Sequence, residues 1–191
     1  MSRTATWGLA LALLPLAACS GNNPPPMASA PPAPPPPQLS AQDTSFINQA
    51  AAGGMAEVQD GQLAASKAPV AGVRQFGSDM VSQHTQVNQQ LMTLAQSKGV
   101  TPSTDLDPSD AAMLHRLQGL RGRSFDTEYL RGQIAGHEKM AQLLQQEISQ
   151  GSDPDLKAFA QQTLPTVQEH LARAQKLAGV RPRAPQHQAK S

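Results

Sequence analysis

From residue 43 onward, apolar residues recur at spacings of three and four, and clusters of Gly, Pro, Asp and Ser interrupt that rhythm. The period is that of amphipathic helices packed on one another. Asp43 is expected to cap a first helix running to about Lys67. This helix is rich in small residues, among them Ala50, Ala51, Gly53, Gly54 and Ala56, which permit close backbone approach. Pro69 marks a tight turn. A second helix is predicted from about Val70 to Lys98, with a core stripe of Val73, Phe76, Met80, His84, Val87, Leu91 and Leu94, and Gly99 stops it. Asp107-Pro108 couples a capping side chain to proline at the first helical position, so a short helix should run from Ser109 to about Leu120. Ser124 is expected to cap a long third helix to about Ser149, striped by Leu130, Ile134, His137, Ala141, Leu144 and Ile148. Asp153-Pro154 repeats the cap-plus-proline device for a fourth long helix to about Ala178. Pro165 inside it should kink or divide it near Leu164.

The connections limit how these helices pack. The turns between the first and second, and between the third and fourth, are only a few residues, so each pair is an antiparallel hairpin. The link between the second and third is long enough to cross the bundle, at roughly 50 Å against ~44 Å for a long helix. The expected fold is all-α, a ferritin-like four-helix bundle with a long crossover that contains a short helix.

The first 42 residues do not share this pattern. Arg3 supplies a positive start, Leu9 to Leu14 form a short apolar core, and Leu16-Ala17-Ala18-Cys19 follows. Residues 1–18 therefore read as a signal peptide. Cys19 is the only cysteine of the chain and stands where a lipoprotein precursor is cleaved and acylated, so it is the expected lipid attachment site. Acyl chains there give stable anchoring at ~0.8 kcal/mol per buried CH₂. By resemblance to Gram-negative lipoproteins, Ser20 after the cysteine implies the outer membrane, with the protein facing the periplasm. Residues 19–42 form a lipidated, Pro-rich tether: nine prolines fall in residues 24–37, a polyproline II stretch of roughly 43 Å. Residues 43–178 are the bundle, and residues 179–191 are expected to be a disordered basic tail.

Composition narrows the function. The chain has 15 Lys+Arg against 14 Asp+Glu, and loss of Arg3 with the signal peptide balances the charge. With few aromatics as well, no nucleic-acid partner is expected. The expected partners are the membrane, through the lipid, and an envelope protein or polymer. A single cysteine excludes an intrachain disulfide and a Cys-rich zinc site. No nucleophile elbow, phosphate loop or dinucleotide fingerprint occurs, so no catalytic residue is assigned.

The chain resembles the bacterial envelope proteins grouped as domain of unknown function 4142, placed in the ferritin-like clan. The matching stretches are Phe46 with Ala50-Ala51 and Gly53-Gly54-Met55-Ala56-Glu57-Val58, then Val73-Arg74-Gln75-Phe76 and Met80-Val81 with His84. Further on come Phe125-Asp126 with Tyr129, Gln133-Ile134-Ala135-Gly136-His137, Leu156-Lys157-Ala158-Phe159-Ala160, and Thr163-Leu164-Pro165 through His170-Leu171. The resemblance implies a fold and leaves activity open.

Four polar residues, one from each long helix, stand out: Glu57, His84, His137 and His170. Ferritin-like di-iron sites use a Glu-x-x-His pair on each of two helices. Here the corresponding positions are Val81 and Val167, which argues against a carboxylate-bridged di-iron centre. A mononuclear site for one transition-metal ion is the alternative. The favoured reading is that the histidines are core residues hydrogen-bonded to carboxylates such as Glu138 and Glu169 or to backbone groups, with no cofactor. Counting along the helices sets Glu57 level with His137, His84 about four residues deeper and His170 about five shallower, a spread of roughly 13 Å. That favours Glu57, His137 and one further histidine over all four together. Two functions are thus carried forward: a non-enzymatic envelope lipoprotein whose bundle binds a partner or serves a structural or stress role, and a periplasm-facing metal-binding ferritin-like protein.

Overall fold

The computed structural model describes residues 39–103 and 105–180. The expected signal peptide, Cys19, nearly all of the tether and residues 181–191 of the tail lie outside the described residues.

Helix α1 spans Ala41–Lys67, and Ser40, not Asp43, is its N-cap. The Asp43 backbone N–H donates to Ser40 Oγ at 3.1 Å, while Asp43 Oδ2 accepts from the Ser40 backbone N–H at 3.1 Å and hydroxyl at 2.7 Å. Asp43 is the reciprocal member of a capping box. Its other oxygen accepts from the backbone N–H groups of Ser152 at 2.8 Å and Asp153 at 3.2 Å. One buried carboxylate therefore finishes a helix start and ties it to a distant turn.

Helix α2 spans Ala71–Ser97. It lies so close to α1 that a Cβ on Gly77 would fall 2.7 Å from Ala64 Cβ and 2.8 Å from the Gly61 carbonyl oxygen. The small residues of α1 serve that approach. Helix α3 covers Pro108–Gly119 with Asp107 as its cap. Helix α4 covers Gly122–Gln150, beginning before Ser124. Gly122 takes φ 61° there, a conformation that L side chains adopt at a cost. Helix α5 runs Pro154–Leu177 behind the Asp153 cap and is unbroken through Pro165. The proline ring is exposed, and burial of Ala160 and Val167 on either side holds the helix across the missing hydrogen bond.

Cross-links give the directions. The Gln42 amide donates to Glu147, pairing the start of α1 with the end of α4. Arg173 pairs with Asp79 near one end of α2 and α5, and Lys98 with Asp153 and Asp155 near the other. Thus α1 is antiparallel to α2 and α4, and α5 is antiparallel to α2 and α4. Helices α2 and α4 are parallel, so the link holding α3 crosses the length of the bundle. This is the four-helix arrangement with one long crossover that the spacing predicts.

The core is split. One apolar cluster gathers Phe46, Ile47, Leu91, Leu144, Leu156 and Val167, and another gathers Val73, Phe76, Met80, Phe125, Tyr129 and Leu130. On all four long helices a polar stretch separates the two, at Glu57–Asp60, His84, Gln133–His137 and His170. The α4 stripe also departs from expectation. Gln133 and Glu147 are buried, whereas Ile134 and Ile148 are only partly so.

Candidate metal centre

In the polar layer, His84 of α2, His137 of α4 and His170 of α5 are all buried, at 6%, 1% and 4% exposure. Each offers a ring nitrogen, and these nitrogens lie within 4.8 Å of one another. The expected 13 Å spread is therefore wrong for the histidines. Level counting along idealised, parallel rods ignores side-chain reach and helix tilt. An imidazole directed up or down its helix recovers several ångströms.

The hydrogen bonds on the outer edges fix which nitrogens face inward. His137 Nδ1 donates to the Gln133 carbonyl oxygen one turn earlier, at 2.8 Å. His170 Nε2 donates to Gln83 Oε1 at 2.5 Å. With those protons assigned, His137 Nε2 and His170 Nδ1 present lone pairs to each other across 3.3 Å. Two nitrogens bound to one tetrahedral ion at 2.0–2.1 Å stand about 3.4 Å apart. His84 supplies the third nitrogen. Its Nε2 is buried without a hydrogen-bond partner, which costs about 1–3 kcal/mol if nothing satisfies it. Outer acceptors that take the other ring N–H, orient the imidazole and fix its tautomer are the usual support of a metal ligand.

The electrostatics suit cation binding. Burial, with the neighbouring imidazoles His137 and His170, lowers His84 to about 3. Burial lowers His137 to about 4 against the Gln133 carbonyl, and His170 to about 4 with help from His137 and Arg173. At neutral pH all three are uncharged, which is the form that ligates.

Glu57 does not join the histidines. Its Oε1 lies 3.6 Å from His137 Nδ1, on the ring edge turned away from His170, and its Oε2 accepts from Gln133 Nε2 at 2.6 Å. The expected set of Glu57, His137 and one histidine is thus replaced by three histidines, with Glu57 behind one of them. Burial, and the charge of Asp110, raise Glu57 to about 8 despite the Gln133 hydrogen bond. Gly136 makes room for it, since a Cβ there would sit 2.8 Å from Glu57 Oε1. Glu138 and Glu169, the expected partners of the histidines, are exposed.

A cavity of about 520 Å³ bordered by α1, α3 and α4 reaches His84 and His137. Sequence reasoning missed its main polar group. Asp60, one turn after Glu57, is 8% exposed, and its Oδ1 is buried without a partner. Burial, then the charges of Glu57 and Asp110, push Asp60 up to about 7. Its spacing from Glu57 on a small-residue helix was a usable signal. Gln83 gave none, because it neighbours His84 in sequence but serves His170.

The family model described as domain of unknown function (DUF4142) matches residues 28–177. A DUF305 fragment from Deinococcus radiodurans has a similar structure, with TM-score 0.67, 15% sequence identity, and coverage of 75% of this chain and 99% of the fragment. A conserved hypothetical protein from Mycobacterium tuberculosis is also similar, with TM-score 0.57, 16% identity, and coverage of 75% and 94%. At such identities the likeness concerns the fold alone. No curated protein matches the chain.

Proposed function

The chain belongs to the DUF4142 family, and from that premise we propose that it is a metal-binding bundle which holds one transition-metal ion on His84, His137 and His170 at the bacterial envelope. The observation that carries this reading is the convergence of three buried, neutral imidazoles, two of them held by hydrogen bonds on their outer nitrogens and the third, His84, with a buried Nε2 that has no partner. Packed core histidines, the favoured reading of the sequence, would leave no buried ring nitrogen without a partner, and His84 Nε2 has none among the described residues. Imidazole donors suit zinc, copper, nickel or iron(II) and disfavour calcium and magnesium.

The test is metal content. The purified full chain should carry or take up one equivalent of a divalent transition metal, with uptake lost in both His84→Leu and His170→Leu while helical circular dichroism persists. A wild-type chain that binds none of zinc, copper, nickel or iron in stoichiometric amount sinks the proposal. The envelope placement rests on the residues before the bundle, with Cys19 as the lipid-bearing residue and the bundle facing the periplasm. A tagged fatty acid should label the wild-type chain and not Cys19→Ser. Equal labelling of the two would remove the anchor.

A further inference from the structure

The metal reading leads one step further: we infer that the ion keeps an open coordination position facing the cavity, filled by a small neutral molecule with one lone pair for the metal and N–H or O–H donors for carboxyl groups.

Three protein nitrogens leave a tetrahedral ion one ligand short, and no fourth His, Cys, Asp or Glu joins the group among the described residues. Glu57 cannot supply it from its present place. It lies against Nδ1 of His137, whereas Nε2 is the nitrogen that faces His170. Sites with three protein ligands are those that admit water or substrate, whereas structural sites are closed by a fourth. His84 and His137 form part of the cavity wall, together with residues of α3 in the crossover. Its volume, about 520 Å³, falls in the range of small-molecule pockets.

The walls select the class of occupant. Ala52, Ala56, Met113, Met140 and Leu143 give it an apolar lining. Among the polar groups of the wall, Asp60 Oδ1 is a carboxyl oxygen without a partner. The three cationic side chains of the wall are each paired with a carboxylate, Arg116 and Arg131 with Glu128 and Lys139 with Asp107. An anion entering here finds carboxyl oxygens and no free cation besides the metal. A neutral molecule with a hydrogen to donate finds Asp60.

Cobalt(II) makes this visible, since its absorption reports a change of ligand. The full chain loaded with cobalt(II) is titrated with imidazole, a neutral ligand carrying an N–H, and with azide, an anion. Imidazole should shift the spectrum to saturation and bind more tightly than azide. Gly53→Leu projects a side chain into the cavity past the flexible end of Met140, whose Cε lies 3.0 Å from the new Cβ. That variant and the independent Ala52→Leu should each weaken imidazole about tenfold with cobalt still bound, and Asp60→Ala should weaken it comparably. A bound cobalt that ignores imidazole overturns the open position and leaves the metal site standing. So does an imidazole response undiminished in both cavity-filling variants. Azide binding more tightly than imidazole overturns the ligand class. Failure to take up cobalt at all strikes the metal reading itself.

Discussion

Asp43 and Asp60 lie on the same helix and are both buried, at 1% and 8% exposure, yet their acidities move in opposite directions. Burial alone would raise Asp43, but the Ser40 hydroxyl and the backbone N–H groups of Ser152, Asp153 and Ser40 overcome it, and it falls to about 2. Asp60 has burial without the donors, and with Glu57 and Asp110 nearby it rises to about 7. Both are closed to solvent, but Asp60 is the more deeply desolvated, has like charges nearby, and lacks the donors that Asp43 collects. The carboxylate at the end of the bundle is complete and holds the fold together. The carboxyl in the middle is incomplete, as is His84 on the wall of the same cavity, and there the bundle has kept a cavity in place of packing.

The comparison is broken most directly by removing each aspartate in turn. Asp43→Ala should lose about 3 kcal/mol in urea denaturation at pH 7, combining a lost cap with two backbone N–H groups left without a partner. Because the folded acidity of Asp43 lies below its unfolded value of 3.8, its contribution is present above pH 3.8 and fades as pH falls toward 2. Asp60→Ala should be neutral or stabilising in the metal-free chain. Equal losses for the two substitutions would mean that depth alone governs both sites.

A pH series sharpens it. Glu57 stays protonated in the folded chain up to about 8, against an ordinary value of 4.5. Across that interval the unfolded chain holds fewer protons, so stability falls as pH rises. The three histidines act in reverse: folded values of about 3 to 4 against 6.5 make stability rise with pH until about 6.5. The two tendencies oppose each other between pH 4.5 and 6.5. Above that the histidines are neutral in both states, and the buried carboxyls alone remain. Metal-free protein should therefore lose stability from pH 6.5 to 8, and Glu57→Gln should recover about 2 kcal/mol of that loss. A decline that is the same in Glu57→Gln would assign the slope to other groups.

The smallest effect concerns His84. In the metal-free chain His84→Leu should stabilise by about 1 kcal/mol, because it replaces a buried, unpartnered imidazole by an apolar group of similar size. A loss of more than about 1 kcal/mol in thermal or urea unfolding would show that the imidazole is already satisfied without metal. Gain of stability on losing a site is the usual mark of a residue kept for function.

Much of the fold was legible because helix periodicity, caps and loop lengths are local. Asp107-Pro108, Asp153-Pro154 and Gly99 end or begin elements where the chain says they should. The long link between α2 and α4 also left room for the crossover. What misled was equally local. Asp43 reads as a cap, but Ser40 outcompetes it and frees Asp43 for the α4–α5 turn. Ile134 and Ile148 read as core by polarity, yet Gln133 and Glu147 occupy the inner line, where each meets a side chain of α1.

The residues of the candidate site were likewise visible in the sequence, since His84, His137 and His170 interrupt apolar stripes. Their meeting was not. Counting at 1.5 Å per residue separates them, and only the packed helices, with rings free to lean along the axis and with His137 pinned by Gln133 and His170 by Gln83, bring three nitrogens together. Periodicity and capping are written in near neighbours and are settled by the sequence. The convergence of side chains from three helices depends on tilt, register and rotamer together, and those are settled only when the bundle closes.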